Sequence, residues 1–475
     1  MSRFCPHYPP PAAKRPSAWR MYFSKRRSWL DGLYDRSYRM KMGEVHLPGV
    51  DLYMVNEPTL VRQVMVEGAA RFPKHEALGD ALRPLLGDSI FTTNGAVWQR
   101  QRDLMNPSFE AARVKLVYGR MLDAALAMVQ RLRQVPPGAE HDMEAEMTHV
   151  AADIILRTIL SRPLESGEAR QVFEAFERYQ ALAPRLMMPA FFGLRWLRPW
   201  WQARRSRQAA SEIRALLVGL IQPRFDRHQQ ALAAGEVPPP GDDILATLLQ
   251  VRDAQTGQGF SFDELVDQVA MLFLAGHETS ASALSWALHL LANAPDVQQR
   301  LHEEAKAGLG EQWHRSGDAS GIKELSLARN VFRESLRLFP PVGFFARQSA
   351  QACTLRDKQV PRGASVVIAP WLIQRHRELW ARPDEFDPDR YETDIPGETP
   401  ARESLRRAYL PFGMGPRVCI GAAFAQQEAT LILAVLAREF RLEPVPGHVP
   451  EPVGRLTIRS DNGIRLKLYP RDVAA

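Results

Sequence analysis

The stretch FGMGPRVCIG, residues 412–421, sets one cysteine, Cys419, among glycines, a proline and an arginine. Gly413 and Gly415 begin a G-x-G-x-x-G nucleotide loop, but Val418 holds the place of the third glycine, so a dinucleotide reading fails. The run from Ala422 to Leu433 is helix-like, which puts Cys419 at a helix N-terminus, where free amide N–H groups and the dipole favour a thiolate. Gly415 and Gly421 leave the sulfur flanked by bare backbone, open to something large and flat. Such a thiolate suits a metal or an electrophile. A cysteine hydrolase would also need a histidine base, and the spacing assigns none.

The rest of the 475-residue chain bounds the answer. It is 45% hydrophobic and 24% charged, the composition of a globular protein with a large core. Its net charge of +7 favours acidic partners, and no nucleic-acid-binding signature accompanies it. Three cysteines without regular spacing, Cys5, Cys353 and Cys419, exclude a disulfide scaffold or zinc ribbon and suit a reducing compartment. No apolar run near the N-terminus reaches the ~20 residues of a membrane span, and no signal peptide is recognisable. Residues 14–41 hold nine Lys or Arg against two Asp, interleaved with Trp19, Tyr22, Phe23, Trp29 and Leu30. This reads either as a basic surface helix touching lipid headgroups or as a solvated lead-in.

Helical periodicity dominates the first two thirds, as at 111–133 and 205–232, with one proline-rich break at 234–242. Short strands are expected from Cys353 to Ile368, and a strand pair at 456–469 turning at Asp461, Asn462 and Gly463. Ser261 and Glu264 form a capping box that opens an apolar run to Leu291, about 31 residues or roughly 46 Å of helix. Inside it lies AGHETS, residues 275–280: a helix-interior glycine and a Thr able to bond a carbonyl one turn back, read either as a bend that admits a small ligand or as a packing notch. H-E-x-x-H fails at Ala281. Glu334 and Arg337 leave one face of a helix ending at Pro340, and Arg390 in FDPDRY is a candidate third partner.

Together these motifs resemble the cytochrome P-450 family of haem-thiolate monooxygenases from about Trp98 to the C-terminus. FGMGPRVCIG fits F-x-x-G-x-R-x-C-x-G, Glu334 and Arg337 fit E-x-x-R, AGHETS the oxygen-binding helix, and FDPDRY the meander motif with Asp389 where many members have Glu. The resemblance implies a mainly α fold with a minor β-sheet region, a triangular prism around a long central helix. It implies a basic lead-in at 1–45 and a single domain at 46–475. It further implies haem b with Cys419 as axial thiolate and metal ligand. Trp98, Arg102, Arg347 and Arg417 fall where the family binds propionates, with His376 a weaker candidate, and Ala275, Gly276, Phe412 and Gly421 fall beside the macrocycle. Thr279 and Glu278 stand as the catalytic pair that handles dioxygen and protons, and Glu334, Arg337 and Arg390 as scaffold.

The implied reaction is R–H + O2 + two electrons + two protons giving R–OH + water. Pocket positions at 78–91, Met271, Leu272, Ala275, 342–345 and 456–458 are nearly all apolar, so a fatty acid, alkane, terpenoid or aromatic substrate is expected. Electrons are expected from NAD(P)H through an acidic ferredoxin or flavodoxin with its reductase, docking near Arg100, Arg406 and Arg407. The expected state is a cytoplasmic monomer, with peripheral membrane contact through the lead-in or the apolar segment 186–201 left open. The competing readings are a peroxide-driven peroxygenase and a non-catalytic haem-binding sensor.

Overall fold

Long apolar-periodic runs make the chain mainly helical, and sheet is confined to short strands. The computed structural model describes residues 3–14, 28–47, 49–165, 167–182, 200–237, 241–311, 313, 319–392 and 407–471. Its principal helices are α1 (Glu76–Leu86), α2 (Gly95–Met105), α3 (Tyr118–Leu132), α4 (Met143–Leu160), α5 (Gly167–Leu182), α6 (Trp200–Ala233), α7 (Phe262–Ala292), α8 (Pro295–Leu309), α9 (Ser326–Leu338) and α10 (Ala422–Glu439). The stretch 111–133 is helical as expected, in two pieces that meet at Val117.

Helix α7 is the spine. Both halves of its capping box form: Ser261 Oγ accepts from Glu264 N at 3.2 Å, and Glu264 Oε2 accepts from Ser261 N at 2.9 Å. Nearly every side chain from Leu265 to Ala292 is buried, and the exceptions cluster at Ala275, Gly276 and Thr279. Thr279 Oγ1 donates back to Ala275 O at 2.6 Å. Helix α4 packs across at Gly276, where a Cβ would collide with Ile155. The glycine is therefore a packing notch, one of its two expected uses.

The main sheet orders as β1 (Met42–Leu47), β2 (Val50–Val55), β7 (Ser365–Ile368) and β4 (Phe345–Gln348), with β2 and β7 parallel. Strands β5 (Cys353–Leu355) and β6 (Lys358–Val360) pair as a hairpin within the stretch 353–368, where short strands are expected. The expected 456–469 pair does not form. Strand β10 (Ile458–Ser460) instead pairs with β9 (Pro452–Gly454), while β11 (Arg465–Pro470) lies between β3 (Glu140–Asp142) and β8 (Phe440–Pro444). The turn at 461–463 thus changes sheets, a longer-range choice than the local turn signal encodes.

The start of the chain is anchored to the body. Arg3 pairs with Asp387, Phe386 N donates to Phe4 O at 2.9 Å, and Tyr8 Oη donates to Asp384 Oδ1 at 2.8 Å. Leu30, Leu33 and Tyr38 join the main core, and Trp29 meets Phe344 edge-on at 5.4 Å. Residues 28–41 therefore form short core-packed turns, not one lipid-facing helix, and the boundary expected at residue 45 falls inside β1. Trp19, Tyr22 and Phe23 lie outside the described residues, as does nearly all of 186–201.

The Glu334 carboxylate is fully buried and saturated. It accepts from Arg337 Nε and Nη2 at 2.8 and 2.9 Å, Arg390 Nε at 3.0 Å, Asp387 N at 3.0 Å and Tyr391 Oη at 3.0 Å. Removing its charge leaves two guanidiniums buried without their anion. Glu334→Gln is expected to cost about 3–5 kcal/mol, read as a lowered unfolding midpoint of the haem-loaded protein.

Candidate functional site

Cys419 sits on a loop whose shape its glycines allow. Gly413 and Gly415 adopt φ of 72° and 73°, and a Cβ on Gly415 would strike the backbone of Met65, so that glycine serves loop packing and not the sulfur. Leu410 O accepts from Gly413 N at 3.1 Å and Phe412 O from Cys419 N at 2.9 Å. Helix α10 starts three residues after the cysteine, as expected. Burial pushes the thiol up, while the Gly421 N–H and nearby Arg102 pull it back toward the thiolate. Yet a water-sized sphere reaches Cys419. A side chain both hemmed in by protein and reachable by solvent faces an internal hollow. Ala275, exposed in the middle of the buried helix α7, is in the same condition.

Three guanidiniums and the Lys74 amine gather beside this loop. Arg417, half-buried, donates from Nη1 to Asn94 Oδ1 at 2.7 Å and lies 4.6 Å over the Trp98 ring. Arg102 donates from Nη1 to Val418 O at 2.8 Å. Arg347, buried on β4, is pushed down to about 10 by burial and by Arg417. Lys74 donates to Phe91 O at 2.9 Å and is pushed down to about 6 by burial and then by Arg417, Arg347 and Arg102. Among the described residues no carboxylate lies within salt-bridge distance of any of them. Uncompensated buried cations are costly unless an anion arrives. A flat group carrying two carboxylates and a metal that takes a thiolate satisfies both halves of the site, so the residues present fit a haem.

The catalytic candidates lie on α7 just after Ala275. Thr279, one turn on from Ala275, is partly exposed. Glu278 is buried and turned toward the β9–β10 hairpin, with Oε1 accepting from Thr457 Oγ1 at 2.7 Å; burial raises its acid above the ordinary range, against the opposing pull of Arg459 and Thr457. His277 donates from Nδ1 to Phe273 O at 2.7 Å and is held neutral, with burial pushing it down to about 4. His376 contacts Glu378 N and the backbone of Met40 and Arg39, away from the cation cluster. Arg100, offered above for docking, is instead committed to Glu264 at 2.7 Å and Gly259 O at 2.8 Å. Arg406 lies outside the described residues.

Sequence reasoning missed Lys74 and Asn94, which no short spacing links to Cys419. It also missed Glu428, whose only signal is a carboxylate within the apolar run of α10. Glu428 is fully buried, accepts from Ser280 Oγ at 2.7 Å, and is pushed up to about 8 by burial.

Residues 21–467 match the family Cytochrome P450. Cyclooctatin synthase of Streptomyces melanosporofaciens is 33% identical over 87% of this chain and 86% of its own length. Cyclooctat-9-en-7-ol 5-monooxygenase from the same organism is 30% identical over 85% and 83%, and a cytokinin hydroxylase of Arabidopsis thaliana 31% over 82% and 73%. Among solved structures, the haem domain of cytochrome P450DA superposes with a TM-score of 0.78 at 24% identity, covering 91% of this chain and 90% of that one, which speaks to the fold.

Two outcomes test the site. Arg347→Met removes a buried unpaired cation, so the haem-free protein should melt no lower than wild type, while haem release speeds up by about tenfold or more, followed by transfer to apomyoglobin. Glu428 keeps its proton when folded up to about pH 8 but releases it near pH 4.5 when unfolded, so its contribution to stability falls as pH rises through that window and levels above it. The melting difference between Glu428→Gln and wild type should therefore grow from pH 5 to pH 8 in favour of the variant.

Proposed function

This chain belongs to the cytochrome P450 family, and on that premise we propose that it hydroxylates a neutral lipophilic compound, an isoprenoid alcohol or similar hydrocarbon skeleton in preference to a fatty acid. That it is a P450 monooxygenase with a cysteine-ligated haem follows from the family. The finer reading rests on charge. Along the apolar stretch 78–91, Arg83 pairs with Asp88, and above it Arg214 pairs with Asp267 at 2.6 Å. Both guanidiniums are thus engaged by carboxylates of the chain itself, which argues against their taking a substrate carboxylate. A relative named for its action on cyclooctat-9-en-7-ol points the same way.

When bound, the haem supplies the activation of dioxygen. The chain supplies position and protons. Cys419 is presented by a loop that the Glu334 network holds through Gln374, whose Oε1 accepts from Leu410 N at 2.8 Å while its Nε2 donates to Leu336 O at 2.9 Å. Thr279 Oγ1 donates its one hydrogen to Ala275 O, which leaves its lone pairs free to accept a hydrogen bond; rotation of the hydroxyl away from that carbonyl would let it donate instead. Glu278, one residue away, is raised by burial, which favours its protonated form and suits it to hold a proton for the site. Met271 and Leu272, apolar and buried on α7 one turn before Ala275, suit a substrate side that excludes water. Electrons come from NAD(P)H through a separate ferredoxin or flavodoxin and its reductase, a reading supported by the net charge of +7.

The test is optical. Ferric protein is titrated with geranylgeraniol, palmitic acid and hexadecane while the Soret band is followed. A saturable low- to high-spin shift with the alcohol, at a Kd about tenfold or more below that of the acid, is expected; tighter binding of the acid would overturn the neutral-substrate reading. With ferredoxin and reductase added, Thr279→Ala should divert most electrons into hydrogen peroxide, and peroxide alone should sustain wild-type turnover poorly.

A further inference from the structure

We propose that Thr457 and Arg459, on the β9–β10 hairpin, are positioning residues for Glu278, and that Arg459 links this buried carboxyl to Glu144 on the way to the surface; the inference rests on the reading of Glu278 as the proton store. Glu278, Ser282 and Trp286 stand at i, i+4 and i+8 and so share one face of α7. All three engage the hairpin. Thr457 Oγ1 donates to Glu278 Oε1 at 2.7 Å, and Ser282 Oγ and Trp286 Nε1 both donate to Ile458 O, at 2.6 and 3.2 Å. Ile458 N donates in turn to Pro341 O at 2.9 Å, which ties the hairpin to the turn after α9. The segment Thr457–Arg459 is thus riveted to the central helix at the level of the acid.

Arg459 is placed between two carboxylates without bonding either. Its Nε lies 3.9 Å from Glu278 Oε1, and its Nη1 lies 3.8 Å from Glu144 Oε1. Both gaps exceed a hydrogen bond, and Nε and Nη2 are buried with no hydrogen-bond partner among the described residues. A shift of about 1 Å closes a charge-assisted bond to one acid and opens the distance to the other. Glu144, at the N-terminal end of α4, is pushed up to about 7 by burial, with Arg459 and Arg455 opposing and Asp142 adding to the rise. Glu177 of α5 feels the Arg459 charge as well, and His277 beside Glu278 stays neutral.

The guanidinium keeps its own protons and acts through its charge. When Glu144 is protonated, Arg459 is released toward Glu278 and favours its ionised form; when Glu144 is ionised, Arg459 is drawn outward and Glu278 holds its proton. Proton loading of the buried acid then follows the state of a carboxyl near the surface, through a hairpin that also carries the pocket position Leu456.

Difference infrared spectra of the ferric holoprotein test this, with the carboxylic acid C=O band of Glu278 assigned by its loss in Glu278→Gln. Thr457→Ala should move the band to higher frequency and Thr457→Ser should not. Arg459→Gln should raise its titration midpoint by about one pH unit or more, Arg459→Lys should restore most of that change, and Glu144→Gln should lower the midpoint. A band and midpoint unchanged in both Thr457→Ala and Arg459→Gln, or no Glu278 band between pH 5 and pH 9, would overturn the proposal. The reading beneath it fails separately: with ferredoxin and reductase, a Glu278→Gln protein leaking no more hydrogen peroxide per electron than wild type would show that Glu278 is not the proton store.

Discussion

One buried carboxylate holds the architecture together. Glu334 collects five donors from α9, from Arg390 and Tyr391, and from the backbone at Asp387, so two segments distant in sequence meet at a single charge. Arg337, its nearest partner, also donates to the carbonyls of Gln374, Pro383 and Glu385. Gln374 then reaches Leu410, where the cysteine loop begins. The position of the thiol is therefore decided by a network that never touches it. Desolvating such a group is tolerable only because every lone pair is used.

The opposite arrangement prevails at the cation cluster. Lys74, Arg102, Arg347 and Arg417 are brought together with hydrogen bonds to carbonyls and to Asn94, but with no opposing charge among the described residues. Folding alone gives no return for this concentration of like charge. Binding of a dianionic group does, and that asymmetry separates a scaffold network, satisfied by its own chain, from a binding site, satisfied by something else.

What could be read from the sequence was what lies close in sequence. The cysteine loop, the capping box at Ser261 and the Glu334–Arg337 pair each fit within ten residues, and local geometry fixes their meaning. Lys74 could not be found this way, because its relation to Arg347 is a β-bridge between residues 273 positions apart, which no spacing encodes. The same holds for Thr457 against Glu278. The strand pairing at 456–469 failed for a related reason: the local turn is real, but β10 and β11 find different neighbours, and pairing partners are chosen by the sheets they complete. Gly276 shows a further limit, since a notch for Ile155 and a bend for a ligand look alike until the crossing helix is seen.

The docking of the first residues has a consequence for how the molecule is made. Arg3 pairs with Asp387, 384 positions later, and Phe4 and Tyr8 settle on the same stretch. During synthesis residues 3–8 are made long before their seat, which does not exist until the ribosome has passed Asp387. Their contact with the finished body is therefore one of the last long-range contacts to form.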